Sequence, residues 1–134
     1  MNVFVALLMT FHGAIHFMGF AKAFEIAPLA QLKRPISRPW GVVWLVAGVL
    51  FLAGALLLVG ASTMWWTTVA PAVVLSQLAI VACWQDAKLG TIANAIVLVP
   101  LAISLLERER DLAARVSVLG GILQQIGDDL IQPT

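Results

Sequence analysis

The chain has 134 residues, of which 61% are hydrophobic and 11% are charged, and its formal net charge is +1 at pH 7. A soluble domain of this size needs a polar surface, and ordinary soluble domains carry about 25% charged residues. The composition therefore excludes a typical soluble domain, and the weak net charge argues against a nucleic-acid partner. Between Pro39 and Gln85 there is no charged residue and no histidine, so we expect a lipid bilayer to surround that segment.

Four apolar segments approach the length of about 20 residues that a membrane-spanning helix needs. They cover residues 3–23, 41–60, 65–84 and 89–106. Because the links after the second and third segments are short, consecutive segments must run antiparallel. The sequence thus predicts an all-α fold, an integral membrane four-helix bundle of up-down topology over residues 1–106.

The tryptophans mark the ends of these predicted helices. Trp40 and Trp44 open the second segment, Trp65 and Trp66 open the third, and Trp84 closes it. Indole side chains prefer the membrane interface, where the ring is half buried and its N–H reaches water. The pattern predicts that all five lie near the membrane surfaces.

The basic residues favour one side of the predicted bundle. Five of the eight Lys and Arg residues lie in the loop 22–39 or at Lys88, and the other three lie in the C-terminal tail. Cytoplasmic loops of membrane proteins carry an excess of Lys and Arg. The distribution therefore predicts a multi-pass protein of a cell inner membrane, with the loop 22–39 in the cytoplasm and both termini outside.

The tail, residues 107–134, differs from the rest of the chain. It opens with five consecutive charged residues, 107–111, and apolar residues then recur at helical spacing, with Gly120 and Gly121 in the middle. This pattern predicts one or two short amphipathic helices that lie on the membrane or on the bundle. A helix that binds a partner protein is the alternative.

His12 and His16 are the two histidines of the chain, and both lie in the first predicted helix. Their i, i+4 spacing places them on one face. Gly19 continues that face, so we expect it to point into the bundle. Ionisable residues at membrane depth suggest function by default, and an i, i+4 histidine pair can chelate one metal ion.

Three interpretations of this histidine pair stay open. Neutral histidines can join helices through hydrogen bonds, here to Ser76, Gln77, Asn94 or a backbone carbonyl. They can bind a substrate or carry a proton, since the histidine pKa lies near neutrality. They can also hold a metal ion or redox cofactor, whose further ligands would have to come from the few other metal-binding side chains, namely Glu25, Cys83 and Asp86.

Asp86 and Lys88 flank the turn before the fourth predicted helix. One interpretation is an ion pair that anchors the helix end, where the helix dipole favours an anion. The other is a polar cluster at one mouth of the bundle, shared with Thr91 and Asn94. Such a cluster could bind a lipid head group or a polar substrate.

Three stretches of the sequence carry a family resemblance: residues 12–22 (HGAIHFMGFAK), 35–39 (PISRP) and 84–94 (WQDAKLGTIAN). Together they resemble a group of small, uncharacterised bacterial four-helix membrane proteins that are broadly DoxX-like. The resemblance covers about residues 1–106 and implies a bacterial inner membrane and four helices. It implies no reaction and no catalytic residues.

These patterns favour a bundle without catalytic activity that binds a lipid, a quinone-like or other small ligand, or supports a partner membrane protein. One alternative is a membrane-embedded enzyme with a metal or redox cofactor at His12 and His16. Another is a small transporter, since small multidrug exporters are similar in size, although they depend on a glutamate in the first helix that this chain lacks. We also expect association with the bilayer, and a homo-oligomer or a membrane-protein partner.

Overall fold

The computed structural model describes residues 2–131 of the chain and the side chains of residues 3–127. Within them it is all-helical, and it has five helices: α1 (Asn2–Ala23), α2 (Arg38–Val59), α3 (Trp66–Ala82), α4 (Trp84–Ala87) and α5 (Gly90–Ile131). The last residues of the predicted tail, 132–134, lie outside the described residues. The chain divides into two compact units, Met1–Leu101 and Ala102–Thr134.

The first three predicted segments coincide with α1, α2 and α3 to within a few residues. The structure adds a single helical turn, α4, where the sequence indicated only a turn. It also differs in the tail, because α5 continues through Gly120 and Gly121 to Ile131. The predicted separate short helices are therefore parts of one long helix. Two glycines cost about 1 kcal/mol each in a helix, which the good helix formers around them outweigh.

α1 and α2 end with the same backbone motif. The N–H of Ile26 donates to the carbonyl of Ala21 at 2.9 Å, and the N–H of Ser62 donates to that of Leu57 at 2.9 Å. In each case the preceding residue, Glu25 or Ala61, adopts a left-handed conformation. This is the hydrogen-bond pattern that commonly closes a helix, and it sets where the loop after α1 begins.

Within the part of the chain that the structure describes, three helices are long and apolar enough to cross a membrane: Val3–Ala23, Arg38–Val59 and Gly90–Gly127. α3 is a shorter apolar helix. Large hydrophobic side chains lie exposed along the outer faces, among them Val3, Leu56 and Leu89. Among the described side chains, four buried ones are polar, namely those of His12, His16, Ser76 and Asn94. The exposed large hydrophobic side chains are what distinguishes this surface from that of a typical soluble domain.

Glycines allow α1 and α2 to pack closely. A Cβ placed on Gly48 would lie 2.9 Å from the carbonyl oxygen of Gly13 and 3.3 Å from the Cβ of His16. On Gly54 it would overlap the side chain of Val69 in α3. Small residues let helix backbones approach where no hydrophobic drive acts between them. The close contact of α1 with α2 fixes the backbone that carries the histidine pair.

The core consists of two hydrophobic clusters. The first includes Met9, Phe51 and Val97, and the second includes Trp44 and Cys83. The histidine pair contacts both clusters, since His12 packs edge-on against Phe51 and His16 lies beside Trp44, each with ring centroids 5.0 Å apart. The side chains of His12 and His16 are thus packed against aromatic rings inside the unit Met1–Leu101.

Candidate functional site

The two histidines lie side by side on the inner face of α1. His12 is 4% exposed and His16 is 1% exposed, and their ring centroids are 4.7 Å apart. The prediction that this helix face points into the bundle is confirmed. Burial of two imidazoles is costly unless their nitrogen atoms find hydrogen-bond partners.

Each histidine has such partners. The Nδ1 of His16 lies 2.9 Å from the carbonyl oxygen of His12, and because a carbonyl only accepts, this nitrogen donates the proton. The Nε2 of His16 lies 2.9 Å from the hydroxyl of Ser76. The Nε2 of His12 lies 3.0 Å from the Oδ1 of Asn94 and 3.2 Å from the same Ser76 hydroxyl. The structure therefore brings together residues of α1, α3 and α5.

Asn94 extends this network along α5. The Ser76 hydroxyl lies 3.0 Å from its Oδ1, and its own amide donates to the Oε1 of Gln77 at 3.1 Å. The amide of Gln77 in turn donates to the hydroxyl of Thr91 at 3.3 Å. The sequence had indicated Ser76, Gln77, Asn94 and a backbone carbonyl as partners that could join the helices, and the structure uses all of these in one network.

Asp86 and Lys88 do not belong to this network. The carboxylate of Asp86 accepts a hydrogen bond of 2.9 Å from the backbone N–H of Arg34, whereas the side chain of Lys88 is exposed. The polar cluster predicted at the bundle mouth is therefore divided. Thr91 and Asn94 join the histidines, and Asp86 attaches the long first loop to α4.

Replacing Asp86 with alanine is expected to free the first loop with little loss of global stability. Hydrogen bonds to charged groups contribute about 1.5–3 kcal/mol to stability. This contact is exposed, so water competes for both groups and the loss should lie at or below the lower end of that range. Trypsin should cut the bond after Lys33 faster in this variant. Lys88→Ala serves as the control, and equal cleavage of Asp86→Ala and the unaltered chain would contradict the assignment.

A cavity of about 370 Å³ lies beside the histidine pair. Its walls are mostly apolar, and both histidines and Asp86 line it. Phe11 and Leu89 are also among the lining residues, although they are 69% and 74% exposed at the outer surface. The lining of the cavity therefore extends to residues that lie at the outer surface of the protein.

Trp44 is more buried than the sequence pattern indicated. The pattern predicted half-buried indoles whose N–H groups reach water, but Trp44 is 3% exposed and Trp65 is also buried. A Cβ on Gly19 would overlap the indole ring of Trp44, so the glycine makes the space that the ring fills. The i, i+3 spacing of His16 and Gly19 was visible in the sequence, but their proximity to α2 was not.

The indole N–H of Trp44 is buried without a hydrogen-bond partner among the described residues. The Cys83 thiol, a weak acceptor, lies near this N–H, but the contact does not meet full hydrogen-bond geometry. Trp44 also lines the cavity. Buried donors are nearly always paired, so this one is a polar group for which a bound molecule could supply the acceptor.

A conventional metal centre is not found in the described part of the chain. No group of three or more His, Cys, Asp or Glu side chains there is arranged to hold an ion. Glu25 is exposed in the first loop, Asp86 binds Arg34, and Cys83 is buried in the second cluster. None of these predicted additional ligands joins the histidine pair.

Comparison of the chain with known protein families, with curated proteins and with solved structures finds no match. The site is therefore interpreted from its own geometry.

Proposed function

We propose that this chain is a multi-pass membrane protein, with α1, α2, α3 and the first part of α5 as four spanning helices. Support comes from the apolar outer faces and from the length and apolar composition of the helices described above. α3 has 17 residues, which at about 1.5 Å per residue gives about 26 Å, close to the hydrocarbon thickness of about 30 Å. The charged residues 107–111 would then follow the end of the last span.

The same proposal includes the orientation and the family. The basic residues of the loop 22–39 favour a cytoplasmic loop, and the three stretches quoted above support a DoxX-like bacterial protein. Cysteine labelling from either side of the membrane tests the orientation. The chain has one cysteine, Cys83, which is buried, so cysteines introduced into the loop can be read against a low background.

Within that membrane protein, we propose that the cavity binds a small amphiphile that enters from the lipid. The observation that carries this proposal is that Phe11 and Leu89, both exposed at the outer surface, line the same cavity as the histidine pair. Ligand sites are typically concave and apolar, with a few polar groups that orient the ligand. The cavity volume of about 370 Å³ suits a ring with part of a chain.

The polar groups of the cavity indicate the ligand class. No Lys or Arg is among the lining residues, and the one carboxylate there, that of Asp86, already accepts a hydrogen bond. The unpaired donor is the indole N–H of Trp44. A neutral head group with a carbonyl oxygen, such as a quinone, complements this arrangement better than a phosphate or carboxylate does, because an anion would face Asp86.

In this proposal the histidines have a structural role and do not take part in catalysis. Their nitrogen atoms are engaged with Ser76, Asn94 and a backbone carbonyl, so they support the cavity wall. A general base must reach the proton that it removes, and the internal network leaves the two Nε2 atoms directed at protein atoms rather than at the cavity.

A photoactivatable short-chain quinone analogue tests the proposal in the full chain, reconstituted in lipid nanodiscs. We expect crosslinks concentrated at the cavity-lining residues of α1 and at Leu89. Ala93→Phe should fill the cavity and reduce this labelling about 10-fold, which corresponds to about 1.4 kcal/mol of binding free energy.

Ala95→Phe is the matched control, because Ala95 lies in the same helix, is exposed and does not line the cavity. It should label like the unaltered chain. Labelling spread evenly over exposed apolar residues of all helices, or unaffected by Ala93→Phe, would show partition into lipid instead of a site.

A further inference from the structure

Four neutral donor atoms converge at the centre of the polar network. They are the Nε2 of His12, the Nε2 of His16, the Oγ of Ser76 and the Oδ1 of Asn94. Each comes from a side chain that is at least nine-tenths buried. We propose that these four atoms form a binding site for a late first-row transition-metal ion such as Zn²⁺ or Co²⁺, independent of the proposed amphiphile.

The distances between the donors fit this proposal. Four contacts among them measure 2.9, 3.0, 3.0 and 3.2 Å. A tetrahedral ion with bonds of about 2.0–2.1 Å separates its ligand atoms by about 3.3–3.4 Å. For these four of the six donor pairs, an ion would need the atoms to move apart by only a few tenths of an ångström.

The surrounding hydrogen bonds orient two of the donors, His16 and Asn94, as a metal site requires, whereas His12 would move its proton from Nε2, which faces the Oδ1 of Asn94, to Nδ1 when an ion binds. The Nδ1 of His16 donates to the carbonyl of His12, which leaves the Nε2 lone pair free for an ion. The amide of Asn94 donates to Gln77, which directs its Oδ1 toward the histidines. Histidines that bind metals usually donate their other ring N–H in this way, and such second contacts fix the ring orientation.

The i, i+4 pair has the spacing of the two metal-binding histidines of a His-Glu-x-x-His helix. Here the remaining ligands are a hydroxyl and an amide oxygen instead of an acid. Imidazole nitrogen suits zinc, copper, nickel and iron, whereas oxygen donors alone suit magnesium and calcium. The mixed set of two nitrogens and two oxygens therefore selects a transition metal.

Access and charge determine how tightly an ion can bind. Both histidines line the cavity, which gives the ion a route from the surface. All four donors are neutral, so a divalent ion keeps its charge in apolar surroundings, which is costly. We therefore expect affinity in the micromolar range, and we expect a negative charge added to the donor set to raise it.

Co²⁺ titration of the full chain in detergent, after treatment with a chelator, tests the site directly. We expect one Co²⁺ per chain, with the strong visible absorption of a four-coordinate ion, and competition by Zn²⁺. A chain that binds no Co²⁺, or that binds it only with the weak absorption of a six-coordinate surface ion, would overturn the proposal without any variant.

Asn94→Asp is expected to increase the affinity for Co²⁺, whereas no such increase over a measurable affinity of the unaltered chain is expected if the network is purely structural. Its carboxylate should tighten Co²⁺ binding at least about 10-fold, because it compensates the charge of the ion. Ser76→Ala should weaken binding about 10–100-fold, whereas Ser62→Ala, in the link between α2 and α3, should leave it unchanged. Binding that stays equal in Asn94→Asp, or that survives in His12→Gln/His16→Gln, would place the ion elsewhere.

Discussion

Replacing Gly19 with alanine is expected to destabilise the protein by about 3 kcal/mol, the upper end of what overpacking costs. The new Cβ overlaps the indole of Trp44, and this ring cannot retreat easily because it is buried beside His16. Rigid aromatic rings respond to such overlap with backbone shifts. The unfolding midpoint in detergent is the measurement, followed through the reactivity of the buried Cys83 thiol.

Gly120→Ala is the matched control, because Gly120 is also helical but a Cβ there meets nothing within 4 Å. It should be neutral or slightly stabilising, since alanine is the better helix former by about 1 kcal/mol. If Gly19→Ala and Gly120→Ala have the same unfolding midpoint, that result would contradict the close packing of Trp44 on α1.

Asn94→Leu is expected to cost about 2–4 kcal/mol, since it removes three hydrogen-bond contacts of the interior network at once. Leucine keeps the branching of asparagine but offers no hydrogen bond to His12, Ser76 or Gln77. Interhelical hydrogen bonds within membranes contribute about 0.6–2 kcal/mol each. The same thiol assay measures the loss.

Gln124→Leu is the control for this substitution, because it replaces an amide in the same helix where the side chain is exposed. We expect it to leave the midpoint unchanged. A midpoint of Asn94→Leu that equals that of Gln124→Leu would mean that the network contributes nothing to the stability of the helix packing.

Hydrophobicity predicted the helices well, because three segments are uniformly apolar and a Pro-containing loop separates the first two. The predicted end at residue 106 failed for a physical reason. Charges at 107–111 show where a helix leaves an apolar environment, but residues such as Leu, Glu and Arg favour helix on both sides of that point. A change of polarity therefore does not end α5.

The candidate site was predictable in part. The spacing of His12 and His16 placed both on one face, and the other polar residues within apolar segments were few enough to name their partners. The burial of Trp44 was not predictable, because an indole near a helix end fits the interface equally well. It depends on Gly19 in another helix, and so on a tertiary contact that single-sequence patterns do not contain.

The cavity could not be predicted from the sequence either. Its walls come from all five helices and the first loop, and none of these segments shows a pattern of its own that indicates a ligand. What the sequence offered was the small number of polar residues, and the structure shows which of them face the cavity and which face one another.

The most direct test of the amphiphile site is quenching of tryptophan fluorescence by a short-chain quinone analogue in nanodiscs. We expect a saturable component with one site per chain, lost in Trp44→Phe and in Ala93→Phe but kept in Trp84→Phe, whose side chain is exposed. Quenching that rises linearly with the quinone and is the same in all three variants would contradict the proposed site.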